Sequence, residues 1–145
     1  MRKISVEREG QLVQVELNDQ RFSIDESNLD RELCSIGKFI YEYGTLAAET
    51  GLRVGRLDAE LERLGAVLDA EVRARFLNAG EKATEARVQH AVVLDKQYQA
   101  YMQAKLEAEH DQAMMKWAMV ALQHKSEGLR ALAYRENQSM KADRS

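Results

Sequence analysis

The stretch that decides the fold is Asn78-Ala79-Gly80-Glu81-Lys82-Ala83-Thr84-Glu85-Ala86-Arg87-Val88. It is the clearest interruption between two long runs with helical periodicity, in a chain that has no proline. Asn78-Ala79-Gly80 suits a helix C-terminus, with glycine at the left-handed position just past the end. Thr84 then caps a short helix through Leu94, and Asp95 caps a final long one. The order is therefore long helix, tight break, short helix, long helix.

Upstream of the break, Leu33, Ile36, Ile40, Tyr43, Ala47, Thr50, Val54, Leu57, Leu61, Leu64 and Leu68 alternate steps of three and four. That is a heptad seam. A helix over 27–77 would be ~75 Å long, which favours a coiled-coil partner over a small monomer. Gly37, Gly44, Gly51 and Gly65 share one heptad position beside the seam. They read either as close approach by a neighbouring helix or, around Gly51–Gly55, as a break into two helices. Downstream, Leu94, Tyr101, Ala108, Met115, Leu122 and Leu129 recur every seven residues, and Met102, Leu106, Ala113, Trp117 and Val120 widen that apolar face. Residues after Glu136 turn polar and are expected to fray.

The start of the chain has a different period. Ile4, Val6, Leu12, Val13, Val15 and Leu17 alternate with polar residues about Glu9-Gly10, which predicts a β-hairpin. Phe22-Ser23-Ile24 is a candidate third strand. Asp25 or Ser27 begins the first helix, with Ser27 to Asp30 as a rough capping box. The expected fold class is all-α: long coiled-coil-forming helices, a short connecting helix and a small N-terminal β-hairpin arm. The domains expected are an arm at 1–25, a helical oligomerisation and binding body at 26–137, and a flexible tail at 138–145.

Composition narrows the function. The 145 residues carry a net charge of −3, which argues against coating nucleic acid by bulk electrostatics, so any anion site must be a local patch. One cysteine, Cys34, gives no disulfide framework and suits a reducing compartment; it reads as a small half-buried residue. No secretory pattern or long apolar run appears, so neither export nor a membrane span is expected. Glu107 and His110 have a spacing used by di-iron bundles, but without the second copy such sites need, and they read as an exposed helix face. No nucleophile triad or phosphate loop is visible, so an enzyme is not expected and no cofactor or metal is implied.

The compact basic element is Val72-Arg73-Ala74-Arg75-Phe76. On a regular helix Arg73 and Arg75 point about 200° apart, so they share a groove only if the last turn loosens or subunits pack around it. Lys82 and Arg87 follow the break, placing four cations near one helix end. Ordinary solvated charge opposite Asp69, Glu71, Glu81 and Glu85 is the competing reading. Phe76, Tyr98 and Tyr101 offer stacking surfaces for unpaired bases or, at helical spacing, core packing.

Several motifs together resemble the UvsY-like recombination mediators of tailed phages. They are Ile24-Asp25-Glu26-Ser27-Asn28-Leu29 entering the first helix, Arg73-Ala74-Arg75 between Val72 and Phe76, and Gly80-Glu81-Lys82-Ala83-Thr84-Glu85. Val92-Val93-Leu94-Asp95 opens the last helix, and Leu122-Gln123-His124-Lys125-Ser126-Glu127-Gly128-Leu129 follows within it. The resemblance spans roughly residues 22 to 137. It implies small helical subunits that assemble through coiled coils into a homo-oligomer, a ring. It implies binding of single-stranded DNA and help to a RecA-like recombinase in displacing single-strand-binding protein. Within it, Arg73 and Arg75 correspond to the family's DNA-contacting element, and a phage-encoded chain would act in the bacterial host cytoplasm. The competing class is a structural or adaptor coiled coil with no nucleic-acid role.

Overall fold

A computed structural model describes residues 2–144. Two antiparallel strands, β1 (Arg2–Arg8) and β2 (Gln11–Leu17), precede three α-helices: α1 (Leu29–Asn78), α2 (Glu85–Leu94) and α3 (Lys96–Asp143). The fold is mostly helical with a small N-terminal hairpin, as the two periodicities predict. The chain divides into two units, one made of residues 1–50 and 111–145, the other of residues 51–110. The hairpin is thus part of the first unit.

In the first unit the hairpin pairs Arg2 with Leu17 through Arg8 with Gln11. Glu9 and Gly10, at φ 50° and 75°, form the two-residue turn. Both positive angles match the turn type whose twist suits a hairpin. Ile4, Val6 and Leu17 are buried against Ile36, Tyr43 and Leu46 of α1 and Met115, Leu122 and Leu129 of α3. Burying each large apolar side chain contributes about 1.5–3 kcal/mol, which a lone hairpin lacks in water. Polar clamps fix the orientation. The Ser5 N–H donates to the Asp111 carboxylate (2.9 Å), the Asn18 N–H donates to the Tyr43 hydroxyl (3.3 Å), and Arg8 grips Glu49 (2.9 Å). Glu9 is an unusual occupant of a left-handed position. Glu9→Asn is expected to stabilise the protein by up to about 1 kcal/mol, because asparagine tolerates that conformation at lower cost; urea denaturation checks it, and a loss of stability would contradict it.

The entry to α1 departs from expectation. Phe22-Ser23-Ile24 is not a third strand. Asn18 accepts from the Gln20 N–H and starts a 3-10 turn over Asp19–Phe22, which ends the extended run. A second 3-10 turn, Glu26–Asn28, is capped by Asp25 rather than Ser27. The Ser27 hydroxyl donates to Asp25 instead, and with Asn28 it holds the Asp25 carboxyl below the usual carboxylate range. Ile24 then reaches α3, where a Cβ on Gly128 would lie 3.0 Å from the Ile24 side-chain tip. A glycine there lets the entry segment seat.

α1 has no break at Gly51–Gly55. Helical glycines cost about 1 kcal/mol each, but packing along both flanks of the seam outweighs that when no proline intervenes. A Cβ at Gly44 would lie 3.9 Å from Met119 and one at Gly65 would lie 3.7 Å from Tyr98, both ordinary contact distances. Neither glycine is therefore required by close approach of α3. Cys34 is exposed rather than half-buried, because it lies off the seam that carries Leu33 and Ile36. Leu94 is exposed, so the last seam begins inward only at Tyr101. α3 continues past Glu136 to Asp143, further than its polar end predicts.

In the second unit, Leu64, Leu68 and Val72 of α1 pack on Val88 and Val92 of α2, with Phe76, Tyr98 and Tyr101 around them. Lys105 of α3 pairs with Asp58 of α1 (2.6 Å), which raises the affinity of its ammonium for the proton. Among the described residues, no helix is long and apolar enough to cross a membrane.

Candidate nucleic-acid interface

The turn after α1 is built as the sequence predicts. Gly80 has φ 71°. Its N–H donates to the Leu77 carbonyl (3.1 Å), and the Glu81 N–H donates to the Phe76 carbonyl (2.8 Å). These two bonds are the paired closures of a Schellman motif, which satisfy carbonyls that the helix end leaves open. Thr84 accepts from the Arg87 N–H at the start of α2, and Asp95 accepts from the Tyr98 N–H at the start of α3.

The four cations expected near this turn divide into two pairs. Arg73 is bound by Asp69 one turn back (2.7 Å) and by Glu85 at the start of α2 (2.5 Å). Hydrogen bonds first to Asp69 and then to Glu85 hold its guanidinium still further above its already high range. Arg87 is bound by Glu81 (2.7 Å), donates to the Lys82 carbonyl (3.2 Å) and lies over the Phe76 ring (4.4 Å). Stacking of this kind contributes roughly 0.5–1 kcal/mol at exposed sites. Arg73 and Arg87 therefore tie α1, the turn and α2 together. Arg75 and Lys82 are exposed and, among the described residues, have no carboxylate at ion-pair distance.

The aromatic residues follow the packing alternative. Phe76, Tyr98 and Tyr101 are partly buried against the cluster of the second unit. Glu107 and His110 are exposed, and no group of three or more ligand-type side chains among the described residues is gathered for a metal.

The first unit holds polar chemistry that sequence reading missed. The Lys125 side chain is 1% exposed, with its ammonium 2.7 Å from a Glu32 carboxylate oxygen. It also donates to the Arg21 carbonyl (2.9 Å). Arg21 in turn pairs with Glu42 (2.6 Å) and lies 4.5 Å over the Phe39 ring. Lys125, Glu32, Arg21 and Phe39 border a polar cavity of about 610 Å³ that Asn28, Arg31 and Ser35 also line. Compared with family models, with curated proteins and with solved structures, the chain finds no match.

Proposed function

We propose that this chain is a non-enzymatic recombination mediator that binds single-stranded DNA as a homo-oligomer. In this reading it assists a RecA-like recombinase against single-strand-binding protein. The observation that carries it is the division of cations at the α1–α2 turn. Arg73 and Arg87 are spent bracing the turn, so Arg75 and Lys82 stand exposed on a fixed backbone, available to phosphate. One such pair is a weak site. Repeating it around an oligomer multiplies affinity without strengthening any single contact. Assembly is supported by large apolar side chains that the chain itself leaves uncovered: Leu52, Met102 and Leu106 in the second unit, and Tyr41, Trp117 and Val120 in the first.

The test is fluorescence anisotropy of a labelled oligothymidine titrated at low and moderate salt. Binding is expected to weaken steeply with salt. Arg75→Ala with Lys82→Ala is expected to flatten the log–log salt slope by about 1.4 per subunit engaged, at about 0.7 per lost phosphate contact on a single strand. The oligomer should remain intact. Absence of binding at low salt, from folded and assembled protein, would sink the reading. The adaptor reading then stands, and it has its own support: carboxylates already occupy two of the four cations, and the net charge is −3.

A further inference from the structure

The hairpin has one edge in use and one open. On β1 the Ser5 N–H points away from β2 and donates to Asp111 of α3 (2.9 Å). Ser5 faces Gln14 in the register, so that pair is not bonded across the hairpin. The alternation of antiparallel ladders then fixes the rest. Arg8 with Gln11, Val6 with Val13 and Ile4 with Val15 bond across the hairpin, as the two-residue turn requires. On β2 it follows that the backbone groups of Leu12, Gln14 and Glu16 point outward. Among the described residues, nothing outside the hairpin bonds to them.

Natural edges carry protection: lysine, proline, a bulge, a short length or a covering element. β2 has seven residues, Gln11–Leu17, with one charge, no proline and four β-branched or leucine side chains. Its register with β1 is unbroken. Leu12 and Val13 are exposed on its two faces.

We propose that β2 is an interface between two copies of this chain, pairing antiparallel with the partner's β2 about a two-fold axis at Gln14. The strand's own sequence selects that occupant and that register. With Gln14 opposite Gln14, all of Gln11–Leu17 overlaps its mate, and every outward backbone group of Leu12, Gln14 and Glu16 finds a counterpart. Glu16 then faces Leu12, so no like charges oppose, and it stays beside its own Lys3 (3.7 Å). Val13 faces Val15, adding β-branched cross-strand pairs over the existing core. Sliding the axis to Glu16 would oppose two glutamates, and sliding it to Val13 would set Glu16 against the turn glycine. The result is a four-stranded sheet spanning two subunits. The proposal rests on the hairpin's geometry and is independent of DNA binding.

Two variants test it on the full chain. In a Cys34→Ser background, Gln14→Cys is expected to form an intersubunit disulfide under mild oxidation. Residues at that position of a bonded pair lie about 5.5 Å apart at Cα, within disulfide range. Gln11→Cys is the control: its mate in the partner lies roughly 20 Å away along the strand, and no cross-link is expected. Separately, Gln14→Pro removes an outward N–H and no bond of the hairpin, and is expected to lower the native mass measured by sedimentation. An unchanged mass, or equal cross-linking at Gln14 and Gln11, in protein of native circular dichroism would overturn the proposal. So would a Gln14→Cys protein that stays reduced, which would leave the edge for a partner of another kind.

Discussion

Replacing Lys125 with alanine is expected to destabilise the first unit by about 3–5 kcal/mol, the cost of breaking a buried ion pair by removing one member. Its ammonium is sealed from solvent and bridges Glu32 and the Arg21 carbonyl, at 2.7 and 2.9 Å. Without it, the Glu32 carboxylate, largely buried, loses its ion-pair partner. The Arg21 carbonyl also loses its donor at the point where the 3-10 turn meets α3. The Phe39 ring, 5.8 Å from the ammonium, loses a further contact. The cost should come from the stranded charge more than from the lost attraction, and that distinction is measurable. Lys125→Met combined with Glu32→Gln removes both charges while keeping volume, and should recover most of the loss caused by Lys125→Met alone, the corner of the double-mutant cycle that strands Glu32. Urea denaturation followed by far-UV circular dichroism gives the comparison. A single variant costing under about 1 kcal/mol, in the range of exposed pairs, would show that the pair is effectively solvated.

That pair also marks where sequence reading stops. The turn at Asn78-Ala79-Gly80, the caps at Thr84 and Asp95, and the Glu9-Gly10 hairpin were legible because each is decided by residues within a few positions. The seam of α1 was legible because its spacing repeats through Ile36, Tyr43, Leu61 and Leu68, all buried. Lys125 and Glu32 are far apart in sequence, and neither residue type announces a buried partner. Only the packing of α3 on the start of α1 brings them together. Phe22-Ser23-Ile24 failed as a strand for a similar reason. Its apolar residues serve the core, but Asn18 and Asp25 turn the backbone on either side.

The candidate DNA site was half legible. Arg73 and Asp69 are one helical turn apart, so their pairing follows from spacing. Its second partner, Glu85, comes from beyond the Schellman turn, and only the angle of that turn brings it near. Sequence grouped four cations. Geometry divides them into two that brace and two that, among the described residues, make no ion pair. On α3 the residues Met102, Leu106, Trp117 and Val120 widen the apolar face, and all are exposed in the single chain. Hydropathy marks them as apolar without saying whether the cover comes from the same chain or from another.

The second large effect is at Tyr43, where Tyr43→Ala is expected to cost about 3–5 kcal/mol, as for other large buried aromatic residues. Tyr43 is 2% exposed, and its ring meets Phe22 edge-on at 5.7 Å. Its hydroxyl accepts from the Asn18 N–H, immediately after β2. One side chain thus joins the seam of α1 to the exit of the hairpin. Tyr43→Phe separates the two contributions: the ring stays, the hydroxyl goes, and the expected loss is about 0.5–1.5 kcal/mol. The two variants should also differ in kind. Hydrogen exchange over 2–17 should rise in Tyr43→Ala well beyond the global destabilisation, because Ile4, Val6 and Leu17 rest on the cluster that the cavity opens. In Tyr43→Phe it should rise chiefly near Asn18. If exchange in the hairpin rises no more than elsewhere in the first unit, the hairpin and helices unfold as one body. The strand edge at β2 would then be held by the whole core, with no single ring deciding it.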